Sequence, residues 1–367
     1  MESIYYVMAW ACHRRCRHCY ESRFRPYAPA ALGEVVAEAM RNFPRIVDHF
    51  PERMTYVDPN EPPDQQAERT GRIILSGGEA LLDAVRETVT YPVIARLQAR
   101  YRNAGGVRIV VQTTGDLLTD RIVGDLLERG IHMISVASVD DFHVGMEGAD
   151  KQRAFVARLT ELFERHGMRT AGGPAATRDR CADPGPLYGF FGATPESWIG
   201  KLWPRGRAWE NSLPRGSITD NFCNRWSGGL HFLRHRFAGS EVSVEPDGSV
   251  YPCCVKTALP LGNLVEEALI DILDSLAAIP AFQAIDAGHP ERMGIADGWD
   301  EARFLAASRT TLPDGRAYAN LCIGCDRFHR ERLGPVLAAA RARRRERARL
   351  GRPAGRPACA VLTPCDP

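Results

Sequence analysis

No stretch of this sequence approaches the eighteen or so consecutive apolar residues that a membrane-spanning helix needs. Charge of one sign is also missing. Lys and Arg total 47 against 45 Asp and Glu, a formal net charge of +2, which calls for neither nucleic acid nor a membrane surface as partner. The opening Met1-Glu2-Ser3-Ile4 has no basic n-region, long apolar core or cleavage site, so a cytoplasmic location is expected and a disulfide framework is not. No internal repeat appears beyond an alternation of strand-like and helix-like segments. What the chain does have is cysteine. It holds eleven in 367 residues, an odd number, which favours metal ligation or reactivity over structural pairing.

Three of these cysteines are crowded into Cys12-His13-Arg14-Arg15-Cys16-Arg17-His18-Cys19-Tyr20, directly after an apolar strand. Four thiolates would close the coordination of a cubane, whereas three leave one iron open to another molecule. The residues alone also admit a zinc site, with His13 or His18 as fourth ligand, although zinc motifs usually come as two separated pairs.

Periodicity gives the order of elements. Strands are expected at Ile4–Trp10, Arg72–Leu75, Val107–Thr113 and Met133–Ser138, with a fifth beginning at Arg169–Ala171. Helices are expected near Leu32–Val47, Tyr91–Tyr101, Asp116–Glu128 and Lys151–His166, the last ending at Gly167. Such alternation implies parallel pairing, either in an open doubly wound sheet or in a complete or partial (β/α) barrel. Both place chemistry at the C-terminal ends of strands. The cysteine loop, Ser76-Gly77-Gly78-Glu79, Gln112-Thr113-Thr114-Gly115 and Ser135–Asp141 then converge on one face. From Gly172 to Trp226 the pattern breaks into Gly, Pro, Trp and Arg, which reads as long loops over that face. A hairpin follows, with strands Glu241–Glu245 and Ser249–Cys253 around an Asp247-Gly248 turn, then a helix near Leu264–Leu276 and the pair Cys322-Ile323-Gly324-Cys325.

In Asp140-Asp141-Phe142-His143, two carboxylates and an imidazole follow the fourth strand and could deprotonate a hydroxyl or orient a polar substrate; the rival reading is a solvated loop with a helix cap. Cys181 lies in a loop near the presumed mouth and could donate a hydrogen atom, though it could equally be incidental. Trp198, Trp203, Trp209 and Trp226, interleaved with Arg205, Arg207 and Arg225, suit either an aromatic and cationic lid or packing between domains. The arginine run from Arg341 to Arg349 reads as a solvated terminal helix.

The cysteine loop with His18 before its last cysteine, the Gly-Gly-Glu turn, the Thr-Thr-Gly turn and the Ile134-Ser135-Val136 strand together resemble the radical S-adenosylmethionine superfamily over about residues 1–170. The resemblance implies that Cys12, Cys16 and Cys19 hold a [4Fe-4S] cluster whose open iron chelates S-adenosylmethionine, the source of a 5′-deoxyadenosyl radical. It implies that Gly77, Gly78 and Glu79 meet the methionyl amino group, that His18 lies near the adenine, and that Thr113, Thr114 and Ser135 line the cofactor site. Val244–Cys253, Leu261-Gly262-Asn263-Leu264 and Cys322–Cys325, with Pro204–Ala208 upstream, resemble the SPASM/Twitch extension of that superfamily. No further cysteine appears before Cys359, so the shorter Twitch form with one auxiliary [4Fe-4S] cluster on Cys223, Cys253, Cys322 and Cys325 is expected. Adjacent Cys254 should face the opposite side of its strand.

The expected architecture is α/β, a partial (β/α)6 TIM-type barrel over 1–215, a small C-terminal α+β iron–sulfur domain over 216–335, and a basic helix with a disordered tail over 336–367. The expected activity is oxidation of a sugar-like or cyclitol alcohol, served by an electron donor such as flavodoxin or ferredoxin. Modification of a peptide or protein side chain is the alternative, against which only eleven residues precede Cys12, too few for a leader-binding domain. Thiol-assisted epimerisation through Cys181 or Cys254 is a third possibility, and a zinc-binding scaffold is the non-enzymatic one.

Overall fold

The structure is a computed structural model, and it describes residues 1–171, 184–225 and 228–350. Cys181, Trp226, Cys359 and Cys365 lie outside the described residues. The main elements in chain order are β1 (Ser3–Val7), α1 (Pro29–Asp48), β2 (Arg72–Ser76), α2 (Tyr91–Tyr101), β3 (Arg108–Thr113), α3 (Asp120–Glu128), β4 (Met133–Val136), α4 (Ala149–Arg165), β5 (Arg169–Thr170), β6 (Leu187–Phe190), α5 (Gly206–Glu210), β7 (Glu241–Val244), β8 (Ser249–Tyr251), β9 (Gly262–Asn263), α6 (Leu269–Leu276), α7 (Pro280–Asp286), α8 (Leu321–Phe328) and α9 (Gly334–Arg349). No described helix is long and apolar enough to cross a membrane.

Nine of these strands form one sheet in the order β9-β8-β7-β1-β2-β3-β4-β6-β5. From β1 to β4 the strands are parallel and sit in chain order without reversal, which rules out the doubly wound alternative. β7 returns to the free side of β1 and pairs with it in parallel, as a closing barrel requires, while β5 and β9 remain as edges. The result is a partial TIM-type barrel. β7 also begins the hairpin of the C-terminal region, since it pairs antiparallel with β8, so a single sheet runs through both halves of the chain.

Alternation along the strands decides what lies inside. Ile4, Tyr6, Ile73, Leu75, Ile109, Val111, Ile134 and Val136 point outward into the main core beneath the helices. Tyr5, Ile74, Val110, Met133 and Leu187 share a register row and, with Ala171, plug the barrel interior. Ser76 and Gln112, two residues further along their strands, replace aliphatic side chains with polar ones at the mouth.

Several boundaries shift for local reasons. α3 starts at Asp120 rather than Asp116, because the Thr119 hydroxyl accepts the Ile122 N–H and Asp116 is taken up by His13 and Arg14. α6 starts at Leu269 because Asn263 Oδ1 holds the Val265 N–H in a turn. β1 stops at Val7, beyond which extended residues 8–11 bond the Gly-Gly-Glu turn instead. α4 ends with Gly167 at φ +69°, the glycine stop read from sequence. The segment after Gly172 is less irregular than expected, since it contributes β6 to the sheet. α9 is not simply a solvated helix. Arg344 donates to both Glu267 oxygens at 2.7 and 2.8 Å and to Ser275 Oγ, and Arg341 and Arg345 pair with Glu266.

Candidate active site

The cysteine loop is held in place from three directions. From β2, Gly78 N–H donates to Ala9 O and Glu79 N–H to Ala11 O, so the turn lies flat against the loop's entry. A Cβ on Gly78 would collide with the Ala11 carbonyl and fall 2.8 Å from Cys12 Cβ, so only glycine permits this approach. From α5, the buried Arg207 guanidinium donates to the carbonyls of Cys16 (2.9 Å), Ser22 (3.0 Å) and Phe24 (2.7 Å). Gly206, at φ +52°, lets Ala208 N–H reach Cys19 O. From the hairpin, Lys256 spans Glu21 (2.6 Å) and Glu245 (2.7 Å).

Cys12, Cys16 and Cys19 line one open cavity, together with Gly77, Gly78, Gln112, Thr113, Thr114, His18, His143, Trp203 and others. Burial raises all three thiols, Cys12 to about 12 and Cys19 to about 11, so their thiolates would need positive charge beside them to form. Glu79 does not line the cavity. It is buried, and its oxygens accept from the Thr113 hydroxyl (2.7 Å), Thr114 N–H (2.7 Å) and Leu81 N–H (2.9 Å), so it fixes the Thr-Thr-Gly turn. Ser135 is the register partner of Gln112, yet among the pair only Gln112 reaches the cavity.

Asp140 and Asp141 part company. Buried Asp140 accepts from His143 Nδ1 (2.9 Å), from the N–H groups of Phe142 and His143, and from Ala193 N–H (2.8 Å). Burial would raise its carboxyl, but the His143 contact and these donors outweigh it and hold the group below the usual carboxylate range. Asp141 is exposed and ties the loop to the start of α4, accepting Gly148 N–H and Gln152 Nε2 at 2.9 Å each. The His18 ring lies 4.5 Å from that of His143, and burial lowers the His18 pKa to about 4, leaving it neutral. Trp203 lines the cavity against Tyr20 and stacks with Trp198, whereas Trp209 packs on Tyr318. Arg205 and Arg207 are engaged with backbone and with Asp326, so they do not serve as lid cations.

A second thiol group lies in the C-terminal half. Cys223 is buried, and burial, followed by the influence of Cys322, Cys325 and Cys253, pushes its thiol well above the ordinary value. Cys253, Cys322 and Cys325 are raised by burial; Cys253 acts on Cys322, and both act on Cys325, while Arg205 opposes the rise at all three. Cys254 is buried as well, with Cys253, Glu241 and Cys322 as its electrostatic neighbours, and it also acts on Tyr5 and Tyr20 of the cavity wall; Cys223, Cys322 and Cys325 each feel Cys253 ahead of it.

Neither thiol set suits a single zinc ion, whose sulfur ligands would sit about 3.8 Å apart given Zn–S bonds of about 2.3 Å. Among the described residues, the ligand-atom groups within 4.8 Å of one another are His18–Asp140–His143 and His13–Glu79–Asp116, and neither contains cysteine. Free thiols, buried or half-buried and spaced more widely than one ion requires, fit a cluster several ångströms across.

Residues 6–172 match the family model of the radical SAM superfamily, and residues 237–296 match that of an iron-sulfur cluster-binding domain, SPASM. The chain belongs to the radical SAM superfamily. Its first domain therefore uses a [4Fe-4S] cluster and S-adenosylmethionine, and its SPASM region carries auxiliary iron–sulfur chemistry. No curated protein matches. Similar solved radical SAM structures include BtrN in complex with AdoMet and 2-DOIA, at 16% identity, covering 79% of this chain and 88% of that one, TM-score 0.39. Others are anSMEcpe with AdoMet and the Cp18Cys peptide (12%, 93% and 99%, 0.37) and SuiB of Streptococcus suis bound to S-adenosylmethionine (9%, 78% and 67%, 0.37). Likeness at this level assigns no substrate to the radical SAM chain.

Sequence reasoning missed the clamps. Arg207 and Arg205 stood out only for a resemblance and as lid or packing candidates, and their actual targets lie far away in sequence. His329, discussed below, had one available signal, its spacing of four from Cys325.

Proposed function

We propose that this radical SAM enzyme oxidises an alcohol carbon of a small polar substrate, such as a sugar or cyclitol, to a ketone. In this reading Cys12, Cys16 and Cys19 hold the S-adenosylmethionine-binding cluster, and Cys223, Cys253, Cys322 and Cys325 hold one auxiliary [4Fe-4S] cluster. When bound, these groups supply a 5′-deoxyadenosyl radical to remove a hydrogen atom and a one-electron acceptor. The hydroxyl proton is left for the protein to handle.

The observation that carries the reading is the His143–Asp140 pair on the cavity wall. Asp140 fixes His143 Nδ1 as the donor at 2.9 Å, which leaves Nε2 as the proton-accepting position. Loss of one hydrogen atom, one proton and one electron converts a carbinol to a carbonyl, so this base completes the balance. Tyr5 OH, bonded to Ser76 Oγ at 2.7 Å and to Gln112 Nε2 at 3.3 Å, offers a neutral polar floor suited to hydroxyls. Gly77 and Gly78 give the cofactor close backbone access, Thr113 and Thr114 are held in position by Glu79, and Trp203, Ile199 and Leu202 screen the cavity from water.

The test is anaerobic reconstitution with a flavodoxin, ferredoxin or chemical reductant, followed by 5′-deoxyadenosine assay with cyclitols, sugars and peptides. A cyclitol or sugar deuterated at the carbinol carbon should deliver deuterium to 5′-deoxyadenosine and yield a ketone. Stimulation by peptides alone would overturn the reading in favour of side-chain modification.

A further inference from the structure

One buried imidazole in the C-terminal region has no partner. His329 opens a π-helical turn, residues His329–Leu333, that continues α8, and its backbone N–H still bonds Cys325 O and Asp326 O. Cys322, Cys325, Asp326 and His329 therefore stand at i, i+3, i+4 and i+7, a single stripe on the helix surface. His329 is fully buried, and neither Nδ1 nor Nε2 meets a protein hydrogen-bond partner. Arg205 repeats the pattern from a distant part of the chain. Its terminal nitrogen donates to Lys256 O (2.6 Å) and to Asp326, while its buried Nε has no partner. Its charged neighbours are Asp326, Cys322 and Cys253, and its own charge acts on His329.

Two buried N–H donors without a protein acceptor thus belong to this region, His329 on the helical stripe of Cys322 and Cys325 and Arg205 beside Cys322 and Cys253. Leaving such a group unsatisfied is costly, so native proteins rarely bury one without a ligand to meet it. A neutral imidazole has one N–H to give, and a cluster held by four thiolates presents sulfur atoms rich in negative charge. Four thiols already close a cubane's coordination, which leaves the imidazole as donor rather than ligand.

We propose that His329 and Arg205 donate N–H hydrogen bonds to the sulfur of the auxiliary cluster held by Cys223, Cys253, Cys322 and Cys325, and so raise its reduction potential. The inference rests on the reading of those four cysteines as ligands and is independent of the substrate. The physical reason is charge: the reduced cluster carries one more negative charge than the oxidised one, so a fixed donor stabilises it more. Both are positioning residues that make this cluster a readier electron acceptor.

The test uses the full chain with Cys12, Cys16 and Cys19 replaced by Ala, so that the auxiliary cluster is read alone. Redox titration followed by electron paramagnetic resonance should show His329→Phe at least tenfold harder to reduce at a fixed ambient potential, about 59 mV for one electron, with about four irons retained. His329→Gln, which keeps an N–H donor, should recover most of the shift, and Arg205→Gln should move in the direction of His329→Phe. In the otherwise unsubstituted chain labelled with ¹⁵N-histidine, the reduced auxiliary cluster should show a weak nitrogen coupling. An unchanged midpoint in His329→Phe, or no nitrogen coupling, overturns the proposal. So does coupling of the size expected for direct ligation. If the unsubstituted chain binds about four irons in all rather than about eight, the auxiliary-cluster reading itself fails, and the proposal with it.

Discussion

Arg207→Ala removes three hydrogen bonds from a charged, buried donor to the carbonyls of Cys16, Ser22 and Phe24, at 2.9, 3.0 and 2.7 Å. Bonds to charged groups contribute about 1.5–3 kcal/mol each, they are not additive, and water will enter the space left by the guanidinium. A net loss of about 3–5 kcal/mol is expected, borne mainly by the segment that carries the second and third thiols. At about 1.4 kcal/mol per factor of ten, local opening of residues 16–24 should become roughly a hundred to several thousand times more frequent. The variant should therefore lose the first cluster and keep the second. After anaerobic reconstitution and desalting it should hold about four irons instead of about eight, and its amides from Arg17 to Phe24 should exchange far faster. Arg207→Lys, able to reach one carbonyl at most, should fall between. If Arg207→Ala keeps about eight irons and normal exchange in that segment, the clamp does not hold the loop and the reasoning fails.

Two further outcomes follow from the same contacts. Burial would raise the Glu21 carboxyl, but Arg23 and Lys256 overcome it and lower the pKa from 4.5 to about 2. Its stabilisation, about 3 kcal/mol, is complete above pH 4.5 and lost as pH falls toward 2, so Glu21→Gln should flatten the acid limb of a denaturation profile. Glu245 shifts the other way, raised by burial despite Lys256, so Glu245→Gln should cost less at neutral pH than Glu21→Gln; the reverse order would refute this account. Cys253→Ala should reduce the iron content by about four, while Cys254→Ala should leave it unchanged, because Cys223, Cys322 and Cys325 all have Cys253 rather than Cys254 as their leading partner from that turn. Iron loss confined to Cys254→Ala would reverse the ligand assignment.

The sequence by itself determined the strand–helix alternation, the crowding of three thiols after the first strand and the glycines opposite them. Each is a local property, set by side-chain period, by spacing along one loop or by the absence of a Cβ. Gly167 is a case in point, since a helix stop depends on its own φ. The split between Asp140 and Asp141 was not legible, because neighbouring carboxylates look alike until one is buried beneath Ala193 N–H and the other faces solvent at Gly148. Glu79 turned out to brace Thr113 and Thr114, a role set by the pairing of neighbouring strands. β6 and the return of β7 to β1 depended on packing between segments more than a hundred residues apart in the case of β7. Only the tertiary structure decided that Arg207 clamps the cysteine loop from 183 to 191 residues away, and that Arg205 comes near both His329 and the second thiol set. A guanidinium or an imidazole carries no mark in sequence of the acceptor it will meet. Burial among particular carbonyls and sulfurs makes that choice, because a desolvated N–H must be satisfied where the fold places it.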